Sequence, residues 1–199
     1  TSDGGVTVAA AVSVSDLEST TQAYLASSAP VTSIGPVSVS SRAMNLSEVT
    51  ADGSSSEGGV GVGVGVALNL ARLTNEAYVV QTVNASGLTV EALMAGAGGQ
   101  NRFITSSTSG AAASSVGVAG ALAVNTVENR TRALVGGAGA VNAGGGNVRI
   151  EAANESESTA EAKPADGGTS GDSVGFGASV AINVATNEVR AAVENGGQV

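Results

Sequence analysis

The sequence predicts an all-β fold: an elongated, repetitive β-solenoid of the parallel β-helix type, with stacked antiparallel β-hairpins forming two packed sheets as the alternative. The first observation is a strict two-residue alternation. In Gly59 to Asn69, Val60, Val62, Val64, Val66 and Leu68 share one face of an extended strand, while Gly61, Gly63, Gly65, Ala67 and Asn69 share the other. The second is recurrence. Val116, Val118, Leu122 and Val124 oppose Gly117, Ala119, Ala121, Ala123 and Asn125, and Val174, Phe176, Val180 and Ile182 oppose Gly175, Gly177, Ser179, Ala181 and Asn183. Asn69, Asn125 and Asn183 are separated by 56 and 58 residues, and Ser13 lies a further 56 before the first. Fixed-period self-similarity marks an array whose units cannot bury their apolar faces alone. The third is composition: 29 Gly, 2% aromatic residues and no Trp, Cys or His among 199 residues. A core of Val, Ala and Gly is thin, so extended stacking is the way for it to bury enough area.

Taken in order, residues 1–14 read as a strand entered through Asp3-Gly4-Gly5, with Val6, Val8, Val12 and Val14 on its bulky face. Asp16 to Thr21 reads as a polar turn, and Ala23 to Leu25 as a short strand. Pro30, Gly35 and Pro36 break the chain before Val37-Ser38-Val39, because proline cannot donate to a ladder. Ala51 to Gly58 reads as a Ser-rich loop that closes in Glu57-Gly58-Gly59-Val60, echoing the first strand entry. The second unit continues through Glu76 to Val80, a turn at Asn84 to Gly87 and a strand at Leu88 to Ala92. The third has Thr131 to Val135, a glycine-rich loop from Gly136 to Gly146 and a strand at Val148 to Ala152. A fourth strand per unit is read at Phe103 to Thr108 and at Ser158 to Ala162. No stretch combines a sustained 3.6-residue apolar period with a cap, so the Ala-rich piece Glu151 to Ala162 is also assigned to strand. The units are therefore 1–58, 59–114, 115–172 and a partial 173–199, and the pattern reads as a slice of something longer.

Two stackings fit. In a solenoid with rungs of about twenty residues, each unit would make two or three rungs with inward Val, Leu and Ile ladders. In a hairpin array, Val180 to Val184 would turn at Thr186-Asn187 and return through Val189 to Val193, as would Leu122 to Thr126 near Glu128-Asn129. Small residues on one strand face allow another sheet to approach closely. The bare face bearing Gly61, Gly63 and Gly65 therefore packs either inside the array or against another copy of the chain.

Seventeen acidic against eight basic residues, with Lys163 the single lysine, give a net charge of −9. That balance argues against a nucleic-acid partner. The longest apolar run is too short for a membrane helix, and two Tyr and two Phe cannot make the aromatic girdles of a membrane barrel, so membrane insertion is not expected. Without His or Cys, a Ser-His-Asp triad, a Cys-His pair and an ordinary zinc site are excluded. The aspartates fall in separate segments, so no paired-carboxylate centre is expected either. Calcium is the metal the loops allow, with Asp166 and Asp172 flanking a glycine-rich segment, although no calcium-binding repeat is present and no cofactor is expected. Asn69, Asn125 and Asn183 read as turn or ladder residues. Asn45, Asn84, Asn129 and Asn154 match the glycosylation acceptor pattern, as expected by chance in a Ser/Thr-rich chain. Tyr24 and Tyr78 occupy equivalent places, where later units have Leu134 and Ala192.

The Val-Gly-Val strands ending in Ala-Leu-Asn or Ala-Ile-Asn, the segment Asn75 to Val79 and the segment Gly87 to Ala92 resemble the repeat regions of large bacterial exported proteins, the filamentous-haemagglutinin-like and autotransporter-type adhesins. The likeness is one of rhythm and composition over the whole chain. It implies an extracellular or cell-surface β-solenoid that serves as an adhesin stalk or self-assembling filament, with no catalysis. Self-association with neighbouring repeats is the expected partnership. The alternative is an adhesin module, calcium-stabilised, that binds glycans or a host surface.

Overall fold

In the computed structural model the alternation holds its phase for 20 residues at a time, and each such stretch is a single strand: β1 (Val6–Leu25), β5 (Val60–Val79), β9 (Val116–Val135) and β13 (Val174–Val193). The structure describes residues 5–55, 58–96, 98–137, 140–170, 174–194 and 196–199, without the side chains of 166–168 and 170. After each long strand the chain returns through three shorter ones. In the first coil these are β2 (Val31–Thr32), β3 (Val37–Ala43) and β4 (Leu46–Ser55), and in the second β6 (Val83–Asn84), β7 (Leu88–Met94) and β8 (Asn101–Ala112). In the third they are β10 (Val141–Asn142), β11 (Val148–Ala152) and β12 (Ser156–Ser170). Equivalent strands pair in parallel, giving four sheets in the orders β1-β5-β9-β13, β10-β6-β2, β11-β7-β3 and β12-β8-β4. The fold is a parallel β-solenoid. The hairpin alternative is wrong: Thr186-Asn187 and Glu128-Asn129 lie inside continuous strands, where Thr186 pairs with Glu128 and Asn187 with Asn129.

One sequence unit is one coil, not two or three. The pairings Val6 with Val60, Val60 with Val116 and Val116 with Val174 step by 54, 56 and 58 residues. Ser15 therefore stands opposite Asn69, whereas Ser13 stands opposite Ala67, which corrects the expected equivalence. A 20-residue strand spans about 65 Å while each coil advances about 4.8 Å, so the body is wide and flat. Three local expectations also change. Asp16 to Thr21 is strand because Leu17, Ser19 and Thr21 continue the inward parity while Asp16, Glu18 and Thr20 continue the outward one. Ala51 to Ser55 belongs to β4, since Val49, Ala51 and Ser55 alternate inward with the hydroxyl and acidic side chains outside. The Gly136 to Gly146 segment contains β10. The Ala-rich piece is strand in β11 and β12, as expected from its neighbours.

The interior runs in zones along the long strand. At its C-terminal end Ala77, Val79, Ala133 and Val135 pack on Val83, Leu88 and Val90 to make the main apolar core. Here the expected inward ladders exist, with Val37, Leu88 and Val148 in one column and Val39, Val90 and Ile150 in another. Midway, Ala71, Leu73 and Val127 surround Phe103, which is fully buried. At the N-terminal half the ladders invert. The buried positions of β5 are Gly61, Gly63, Gly65, Ala67 and Asn69, and the valines point out. The reason is in the facing sheet. A Cβ built on Gly63 would lie 2.0 Å from the Gly110 carbonyl oxygen and 2.5 Å from that of Gly53, and one on Gly65 would lie 2.3 Å from that of Thr108. Two backbones touch across this half of the coil, and no side chain larger than hydrogen fits between them at Gly63.

Candidate functional site

Register carries each outward residue of the long strands into a column that runs across four rungs. Five successive columns are apolar or glycine throughout: Val6-Val60-Val116-Val174, Val8-Val62-Val118-Phe176, Ala10-Val64-Gly120-Ala178, Val12-Val66-Leu122-Val180 and Val14-Leu68-Val124-Ile182. Val12 is 71% exposed and Phe176 62%. With strands about 4.8 Å apart and same-face residues about 6.7 Å apart, the grid covers roughly 600 Å². Covering it would be worth about 15 kcal/mol of apolar transfer before association costs. A patch of this size on one sheet face is large for an isolated monomer. The alternation of Val with Gly was legible in the sequence, which allowed both inward valine ladders and a bare face packed inside the array; the bare face is the one that packs inside, and the outward valine grid that follows from it was not drawn.

Past Asp16 the same sheet face becomes charged. Its columns are Glu18-Arg72-Glu128-Thr186, Thr20-Thr74-Arg130-Glu188 and Gln22-Glu76-Arg132-Arg190. Opposite charges meet along and between them. Arg132 Nη2 donates to Glu188 Oε1 at 2.7 Å, Arg130 Nε donates to Glu188 Oε2 at 3.1 Å, and Arg132 also lies 3.9 Å from Glu76. The Arg132 hydrogen bonds, helped by Arg130, hold the Glu188 carboxyl below the ordinary glutamate range against a smaller opposing effect of desolvation. A group with a lowered folded-state pKa lends stability that is complete above its unfolded pKa and is lost as pH falls through the folded one. Carbon-detected titration of Glu188 is therefore expected to give a midpoint below that of a free glutamate, and Arg132→Gln to move it upward.

The asparagine columns are interior. Ser47 Oγ donates to Asn69 Oδ1 at 2.8 Å, Asn69 Nδ2 donates to Asn125 Oδ1 at 2.9 Å, and Asn125 Nδ2 lies within hydrogen-bond reach of Phe103 O at 3.2 Å and Ser158 Oγ at 3.0 Å. Asn183 closes the column through Ser158, whose Oγ donates to Asn183 Oδ1 at 2.7 Å. These residues make ladders, not turns, and they use their polar atoms on one another. A second line joins Asn101, Asn129 and Asn187 through Asn154. Asn129 is buried in it, so that acceptor pattern cannot be a glycosylation site in the folded chain.

Of the calcium candidates, Asp172 lies outside the described residues and so does the side chain of Asp166; the strand-entry residues Asp3 and Glu57 lie outside them as well. Among the described residues no group of three or more acidic side chains converges on a point. A depression of about 200 Å³ beside the β12 irregularity is lined, among the described residues, by Ser109, Pro164, Thr169 and small residues. Another of about 240 Å³ on the charged half is lined by Glu18, Arg72, Glu128 and Arg130. Tyr24 and Tyr78 stack at a centroid distance of 5.1 Å with planes 8° apart, so each ring covers a face of the other. A ring so used offers a sugar less of its flat surface.

Comparison with family models, with curated proteins and with solved structures yields no match. The outer face of the long sheet is apolar over one half and ion-paired over the other.

Proposed function

We propose that the chain is a structural repeat of an extracellular or cell-surface fibre, without catalysis, whose coils stack on one another and present broad flat faces for lateral contact. The observation that carries this reading is the coil itself. It spends 54 to 58 residues on a single advance, where narrow repeats spend 20 to 29 on theirs, so the architecture spreads width rather than length. That favours the self-assembling filament over the stalk among the two structural roles. The polar interior supports it too, because Asn69, Asn125, Asn129 and Asn101 are turned inward and hydrogen-bond, within and between rungs, with one another or with Ser47, Ser158 and Asn154. Their inward ladders select in-register stacking of equivalent coils, which an array needs and a catalytic centre does not.

The glycan-binding alternative rests on Tyr24 and Tyr78, and their mutual stacking weakens it. Joining two copies of residues 5–173, three whole coils each, in tandem tests the array reading. Electron microscopy is expected to show a body of unchanged width whose axial length grows by about 4.8 Å for each added coil. Two separate bodies of different orientation would refute stacking of equivalent coils. Antibodies raised against the folded chain are expected to label intact source cells, and labelling confined to permeabilised cells would remove the surface assignment.

A further inference from the structure

We infer that the valine half of the long sheet is a self-association surface whose occupant is the same half-face of a second copy of this chain. This deepens the fibre reading and rests on it. Three observations favour a second copy. Two such faces packed on each other would bury roughly 1,200 Å², the lower bound of a stable specific interface. The four strands of the grid are of equal length and in unbroken register, so each column runs straight across the face and can meet a second sheet aligned with it. The opposite outer face is polar for the most part, with Glu48, Thr50 and Asp52 on β4 and Thr159, Glu161 and Lys163 on β12, and its apolar members Leu46 and Ile104 stand apart among them, so the broad apolar grid lies on the valine side.

A two-fold axis along the strands, midway between β5 and β9, makes the match specific. It reverses the order of rungs and sets each column over its own copy. Val64, the projecting member of its column, then falls over Gly120, and Ala10 over Ala178. On the charged half Arg72 comes over Glu128 and Glu76 over Arg132, with no like charges opposed in the three charged columns. An isologous contact of this kind closes as a pair, so it joins two arrays side by side and leaves their stacking axis free. A lipid surface fits less well. The charged half bears Glu beside Arg, and the chain's net charge of −9 repels anionic headgroups.

Sedimentation equilibrium of the 199-residue chain tests it, alongside Val64→Lys on the valine face and Thr50→Lys on the polar face. Both replaced side chains point outward and are exposed, so the far-ultraviolet dichroism of strand is expected to be unchanged in either variant. The parent chain and Thr50→Lys are expected to show twice the chain mass, falling to the single mass on dilution, and Val64→Lys the single mass at every concentration. A parent chain that is monomeric at about 100 µM overturns the inference. So does a Val64→Lys variant that associates as the parent does, which places the contact elsewhere. Binding of a monomeric parent to neutral phosphatidylcholine vesicles, lost in Val64→Lys, overturns it in favour of a membrane. If the tandem chain forms one continuous stack yet the parent is monomeric, this contact fails while the fibre reading stands.

Discussion

Gly63→Leu is expected to prevent folding of the N-terminal half of the solenoid, and to do so more completely than any loss of an aliphatic side chain from the core. Overpacking in ordinary cores costs about 1–3 kcal/mol because neighbouring side chains adjust their rotamers. At Gly63 the neighbours are the carbonyl oxygens of Gly110 and Gly53, placed 2.0 Å and 2.5 Å from where a Cβ would sit. Backbone held in two parallel ladders has no rotamer to change. The sheets must part, and parting them breaks the close contact over several rungs, for a cost above about 5 kcal/mol, in the range of whole-domain stability. Even Gly63→Ala is expected to be severe. Val62→Leu, one residue away on the outer face, is expected to leave the midpoint of thermal unfolding within a few degrees of the parent's. Dichroism-monitored melting of the three variants checks this. A Gly63→Leu variant that melts with the parent would show that the glycine face is not packed on β4 and β8.

Asn125→Ala is expected to cost about 3–5 kcal/mol, and Asn183→Ala much less. Asn125 is fully buried and occupies the centre of its column. Its removal leaves buried Asn69 Nδ2 without its acceptor and buried Phe103 O without an Nδ2 donor, and takes a donor from the half-buried Ser158 Oγ. Each orphaned buried group costs about 1–3 kcal/mol. Asn183 makes chemically similar bonds with Ser158, but it sits on β13, where its side chain is exposed and water can replace the lost partner. Urea unfolding of the two variants measures the difference. Equal losses would mean that the column acts as independent local contacts rather than as a buried ladder. The contrast also bears on the fibre reading, because rung-to-rung coupling through Asn is what makes equivalent coils prefer each other.

Much of this architecture was legible in the chain. The period could be read from Asn69, Asn125 and Asn183, the strand identity from the Val-Gly alternation, and the equivalence of Tyr24, Tyr78, Leu134 and Ala192 from their spacing alone; pairing confirms each of these. Segments with polar residues at both parities were misread. Asp16 to Thr21 resembles a turn in composition, and only the packing of Leu17 beside Leu73 and Phe103 keeps it extended. The Ser-rich end of β4 was misread for the same reason: hydroxyls signal loops when exposed, whereas in a narrow sheet gap they are the largest side chains that fit.

By itself the sequence determined that there are two unlike faces and that they recur at a near-constant interval, because a period of two residues admits one backbone geometry. It could not say which face turns inward. Alternation is symmetrical between the faces, and hydrophobicity favours the valines. The tertiary structure decided for the glycines in the N-terminal half, since the opposing strands carry Gly53, Ser107, Ser109 and Gly110 there. Two bare faces can bring backbone against backbone, whereas two faces filled with side chains must stand about 10 Å apart. The direction of the valines follows from that contact, made with Gly53 in the preceding return strand and with Thr108 and Gly110 in the return strand of the same coil.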